Sequence, residues 1–94
     1  MEITKKSENF NLKDTTEVFE MNGNFSYDVS GTLIVHFNVK NLDGSYVGDC
    51  QYNAYGESNN VSFTVSCSES NRDALTAYAN TVISTVLEHC KTNN

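Results

Sequence analysis

The chain has 94 residues, with six Lys and Arg against twelve Asp and Glu, a formal net charge of −6 and no proline or tryptophan. This length predicts a single domain over 1–94 whose core needs no disulfide or metal to hold it together. Nucleic-acid backbones and anionic membranes require clustered Lys and Arg, so this charge balance excludes both as direct partners. We therefore expect a protein partner with a basic surface.

Two further features concern the location of the protein. The first eight residues lack the apolar stretch of a signal peptide, and no apolar run approaches the ~20 residues of a membrane span. Three widely spaced cysteines, Cys50, Cys67 and Cys90, favour free thiols over a disulfide framework or a zinc site. These features predict a cytoplasmic protein.

The amino-terminal part of the chain gives the weakest pattern. Residues 1–16 carry few apolar groups and are predicted as either an edge strand or a flexible arm. The sheet is predicted over 17–68. Within it, Asn-Gly-Asn at 22–24 is predicted as a three-residue hairpin loop that pairs Met21 with Phe25.

The strongest pattern runs from Phe25 to Lys40, where apolar and polar residues alternate almost without a break. This period of two predicts one long strand with a bend or bulge at Ser30 and Gly31. Turn residues follow at 41–44.

A four-residue loop at 41–44 fixes the pairing with the next strand. Counting back from it sets Val39 opposite Tyr46 and His36 opposite Asp49. A further strand is predicted over 61–67, where apolar residues alternate with Ser and Thr.

The period changes after Ser70 to that of an amphipathic helix over 71–90. Its apolar stripe complements the apolar face of the sheet. The sequence therefore predicts an α+β fold: an antiparallel meander of four to five strands with the C-terminal helix packed on one face, as a two-layer sandwich.

The other face of the predicted sheet is rich in short polar side chains and is covered by no predicted helix, as antiparallel sheets allow. We predict a binding surface there, extended by two residues of the loop that follows. The predicted binding residues are Asp28, Ile34, His36, Val47, Asp49, Gln51, Tyr55 and Glu57.

Catalytic and metal-binding motifs are scarce. A His36–Asp49 pair has the chemistry of an oriented general base, but a polar cross-strand pair of small energetic value is the favoured interpretation. The sequence contains no calcium loop, paired-acid spacing or phosphate-binding glycine motif. We therefore predict no cofactor, no metal and no enzymatic activity.

These observations predict a small acidic protein-binding module. Proteins of this size and charge include inhibitors encoded by phages and mobile elements, so we expect it to dock on a basic, nucleic-acid-binding surface of a host protein. The alternative is a homodimeric structural or scaffolding protein that associates through the polar face, with Ile34 and Val47 near its centre. A third hypothesis is an enzyme that uses His36 and Asp49.

Overall fold

A computed structural model describes residues 1–6, 9–28, 31–56, 58 and 60–92. Six strands form one antiparallel sheet in the order of the chain. The α+β class, with an antiparallel sheet and one C-terminal helix, is confirmed. The strands number six rather than four to five, because the amino-terminal residues form the first two. The elements are β1 (Glu2–Lys6), β2 (Asn9–Thr15), β3 (Phe19–Tyr27), β4 (Leu33–Asn41), β5 (Tyr46–Tyr55), β6 (Asn60–Cys67), a 3-10 turn (Glu69–Asn71) and α1 (Arg72–Thr92).

The chain reverses direction near Gly31, so the single long strand predicted there is wrong. Tyr27, at the end of β3, lies opposite Leu33, at the start of β4. The Asp28 carboxylate accepts a hydrogen bond of 3.0 Å from the backbone N–H of Thr32. Gly31 has a φ of 88°, which favours glycine. The glycine therefore belongs to a hairpin turn and not to a bulge.

The hairpin loop predicted at 22–24 is also wrong, since these residues lie inside β3. Gly23 is opposite Phe37. A Cβ atom at Gly23 would overlap with Cβ of Phe37 and with the carbonyl oxygen of His36. Glycine is thus needed here for a close packing contact, whereas the turn before β3 depends on Thr16, whose hydroxyl accepts a 2.8 Å bond from the N–H of Phe19.

A β-bulge changes the pairing between β4 and β5. Lys40 lies opposite Tyr46 but Val39 lies opposite Gly48, so Val47 is the extra residue. Val47 is turned into the core and is 4% exposed, whereas Tyr46 is 61% exposed. The predicted pairing of Val39 with Tyr46 is therefore wrong, and Val47 does not lie on the polar face.

Buried apolar side chains from the sheet and from α1 form one cluster. The helix begins against β5, where Leu75 packs on Gly48 so closely that a Cβ there would lie 2.7 Å from Leu75 Cδ2. The buried residues of the cluster are Leu12, Phe19, Met21, Phe25, Leu33, Val35, Phe37, Val39, Val47, Cys50, Leu75, Ala79, Val82, Ile83, Val86 and Cys90.

The other flank of α1 contacts β2 and β3. The His89 ring packs edge-on against Phe10 and Phe25, with ring centroids 5.5 and 5.9 Å apart. The Tyr78 hydroxyl donates a 2.7 Å hydrogen bond to Asp14 Oδ2. Burial, and secondarily this bond, raises the pKa of Tyr78. These contacts place α1 obliquely across one face of the sheet and leave the opposite face uncovered by any described helix.

Candidate functional site

The sheet surface opposite α1 is here called the open face. Short polar side chains dominate it, and one row crosses five strands through Asn11, Asn24, His36, Gln51 and Thr64. The described residues of the open face are Glu2, Asn9, Asn11, Lys13, Thr15, Glu20, Asn22, Asn24, Ser26, Ile34, His36, Asn38, Lys40, Tyr46, Asp49, Gln51, Asn53, Tyr55, Asn60, Ser62, Thr64 and Ser66.

Five of the predicted binding residues lie together on this face. Ile34 and His36 come from β4, and Asp49, Gln51 and Tyr55 come from the neighbouring β5. Ile34 and Tyr55 are 43% and 45% exposed, so two apolar or aromatic groups stand among polar ones. We call these five residues the β4–β5 surface.

The remaining three predicted binding residues do not join the β4–β5 surface. Asp28 lies in the turn between β3 and β4, where its carboxylate accepts the backbone N–H of Thr32. Val47 is buried because of the bulge. Glu57 lies outside the described residues.

The predicted His36–Asp49 pair is not formed across the strands. His36 lies opposite Gln51, and Asp49 lies opposite Asn38. The counted pairing was two residues short: five residues, not four, separate the paired Lys40 and Tyr46, and the bulge at Val47 adds one more. The general-base hypothesis therefore loses the juxtaposition on which it was based.

The sequence did not predict the role of Tyr46, because the predicted pairing with Val39 places its side chain on the inward face. The Tyr46 hydroxyl donates a hydrogen bond to Asp49 Oδ2. This bond is the main reason why the pKa of Tyr46 is raised. The bulge turns Tyr46 outward, so Asp49 has a tyrosine as its partner and not a histidine.

Carboxylates concentrate at one end of the sheet, where α1 begins. Eight of the ten carboxylates in the described residues lie there, together with Lys13, Lys40, Arg72 and the amino-terminal ammonium of Met1, which is 3.7 Å from Asp14 Oδ1. Arg72 is itself paired, at 2.8 Å from Glu69 and 3.2 Å from Asp73. We call this region the acidic end; its carboxylates belong to Glu2, Asp14, Glu17, Glu20, Asp43, Asp49, Glu69 and Asp73.

The turn between β4 and β5 holds the carboxylate of Asp43, one of the residues of the acidic end, in hydrogen bonds. The N–H and the hydroxyl of Ser45 both donate to Asp43 Oδ1, at 2.9 and 2.6 Å. These hydrogen bonds lower the pKa of Asp43 because they stabilise the ionised carboxylate. The turn therefore favours the negatively charged form of Asp43.

A shallow depression of about 410 Å³ opens between β1, β2 and β3. The sequence did not predict it, since residues 1–16 carried too little pattern to be placed. Its lining contains one acidic side chain, one basic side chain and two side-chain amides. The lining residues are Glu2, Asn11, Leu12, Lys13, Asn22 and Gly23.

The cysteines have no disulfide partners. Cys50 is buried, and desolvation, with smaller contributions from Cys67 and Asp49, raises its pKa to about 12. The thiolate is the reactive form, and both burial and the raised pKa disfavour it at Cys50. We expect an aromatic disulfide reagent to label the partly exposed Cys67 well before Cys50, as followed by mass spectrometry of peptides. Labelling of Cys50 as fast as Cys67 in the folded protein would contradict this placement.

The described residues contain no group of three or more His, Cys, Asp and Glu side chains placed to hold a metal ion. Within the same part of the chain, no helix has both the length and the apolar character needed to span a membrane. No protein-family model, no curated protein and no solved structure matches this chain.

Proposed function

We propose that this chain is a small acidic protein-binding module that docks, through the β4–β5 surface, on a basic surface of another protein. That basic surface is the partner's nucleic-acid-binding site, so docking inhibits the partner. The observation that carries the proposal is the unequal distribution of charge, with the acidic end next to an uncovered polar face.

The charge distribution supports the proposal through long-range attraction. A cluster of carboxylates at one end of a small protein orients it as it approaches a basic partner and raises the association rate. Asp49 belongs both to the acidic end and to the β4–β5 surface. The attraction would therefore bring a partner to the same surface that it contacts.

The side chains of the β4–β5 surface support the proposal at short range. The Gln51 amide and the Asp49 carboxylate offer oxygen acceptors to Lys and Arg donors. Tyr55 and Ile34 add apolar contact area among them, and tyrosine is enriched at protein interfaces. This combination suits a polar, hydrated interface with a partner whose surface is rich in hydrogen-bond donors.

The two alternative functions, a homodimer through the open face and an enzyme, each relied on a residue placement that the structure does not have. Self-association through the open face was predicted to centre on Ile34 and Val47, but Val47 is in the core. Catalysis by His36 and Asp49 was predicted from a pairing that is not formed.

Capture with matched charge variants tests the proposal. The purified chain is immobilised and exposed to a host-cell protein fraction that binds heparin, which selects basic nucleic-acid-binding proteins. We expect the wild type to retain a protein that elutes as salt rises, and that duplex DNA displaces. Gln51→Lys should reduce retention at least about tenfold, because it places a positive charge in the middle of the β4–β5 surface.

Asn80→Lys is the matched control, since it makes the same charge change at an exposed position on α1. It should retain nearly as much protein as the wild type. Equal loss in both variants would show that net charge alone matters and would contradict docking through the β4–β5 surface. If neither rising salt nor added duplex DNA lowers the amount of retained protein, the docking site on the partner is not a nucleic-acid-binding site.

A further inference from the structure

The two edges of the sheet differ in how they are protected against pairing with another strand. β1 is five residues long and contains Glu2, Lys5 and Lys6. β6 is eight residues long and has neither a charge nor a proline. Within the described part of the chain, β6 pairs with β5 alone. Short, charged edge strands resist association, whereas a long uncharged edge is a template for it.

β6 also carries apolar groups that its own chain leaves exposed. Val61 and Phe63 lie on the face that α1 covers elsewhere, yet they are 58% and 37% exposed. The start of α1 packs near the other end of β6, where Leu75 lies close to the position of Cys67. The helix therefore shields the Cys67 end of β6 better than the Val61 end.

The sequence of β6 is complementary to itself in antiparallel pairing. With Thr64 on a two-fold axis, Val61 lies opposite Cys67 of a second copy and Phe63 lies opposite its Val65. On the other face Ser62 lies opposite Ser66, and Thr64 opposite itself. Every apolar residue of the strand thus meets an apolar partner, and no like charges meet.

We propose that two copies of this chain associate edge to edge through β6 in this register, forming one continuous sheet. The two-fold axis sets the Cys67 end of each copy beside the Val61 end of the other. The first turns of each α1 then cover the exposed Val61 and Phe63 of the other copy. Both open faces stay uncovered, so this dimer goes beyond the proposed function and does not compete with it.

Disulfide trapping tests the register directly. Val61→Cys places a thiol next to Cys67 of the second copy. Within one copy the two positions are six residues apart along the strand, about 20 Å, which is far beyond the ~7 Å limit for a disulfide. With oxidised glutathione as the oxidant, we expect a covalent dimer whose linkage joins the introduced thiol to Cys67. Ser62→Cys is the control, because its thiol points to the other face and lies opposite Ser66; it should cross-link at least about tenfold more slowly.

Light scattering on the wild type supplies an independent measurement. The mass should rise from 10.5 kDa towards twice that value with increasing protein concentration. Because both copies carry a charge of −6, added salt should strengthen the dimer, whereas it should weaken binding to a basic partner. A mass of one chain at all concentrations, or equal cross-linking of the two cysteine variants, would overturn the proposal without affecting the proposed function.

Discussion

Phe37→Ala should lower the free energy of unfolding by about 3–5 kcal/mol, a large share of the 5–15 kcal/mol that stabilises a typical domain. Phe37 is fully buried at the centre of β4. Gly23 lies opposite it on β3, where Cβ of Phe37 comes too close for any side chain at that position, and Cys50 lies opposite it on β5. Truncation to alanine would leave a cavity that these strands cannot close without moving. Urea denaturation followed by circular dichroism gives the change.

His36→Ala is the control for this prediction. His36 is the preceding residue, exposed on the open face, and its truncation should change stability by less than about 0.5 kcal/mol. Comparable losses from the two variants would contradict the assignment of alternate β4 residues to opposite faces of the sheet.

Val47→Lys should destabilise the protein by about 2–4 kcal/mol, because it places an ammonium group at a site that is 4% exposed. The neighbouring change Tyr46→Lys should cost less than about 0.5 kcal/mol, since Tyr46 is 61% exposed. The thermal midpoints of the two variants give the comparison. The pairing counted from the sequence, without a bulge, requires the opposite order. A more stable Val47→Lys than Tyr46→Lys would therefore contradict the bulge between Val39 and Lys40.

The sequence predicted the faces of the strands better than their ends. The alternation that begins at Phe25 correctly separates inward from outward residues in the described parts of β3 and β4, although a turn lies between them. Five residues, 28–32, lie between the paired Tyr27 and Leu33. An odd number of loop residues preserves the period of two, so alternation alone cannot distinguish one long strand from a hairpin.

The sequence predicted the wrong structural role for two glycines. Gly23 resembles a turn glycine in sequence, but it is required by the approach of Phe37 from the next strand. Gly31 resembles a bulge glycine, but its positive φ belongs to a turn. The cause at Gly23 is a contact with another strand, and the cause at Gly31 is a backbone angle set by the turn; the sequence pattern shows neither directly.

The bulge explains why part of the candidate site could be predicted and part could not. Together with a loop one residue longer than the four residues counted, it shifts the β4–β5 pairing by two residues, which preserves the faces of Asp49, Gln51 and Tyr55 but changes their partners. Only Tyr46 and Val47, next to the bulge itself, exchange faces. Hence the set of residues on the open face was largely correct, whereas the His36–Asp49 pair was not.

The most direct test of docking through the β4–β5 surface is a nuclear magnetic resonance titration. The isotopically labelled chain is titrated with the protein captured from the heparin-binding fraction. We expect the largest amide shifts at Ile34, His36, Asp49 and Gln51, with smaller shifts along α1, and we expect Gln51→Lys to require a partner concentration at least about tenfold higher for the same shifts. Shifts confined to α1 or to β6, with the β4–β5 surface unchanged, would contradict the proposed function.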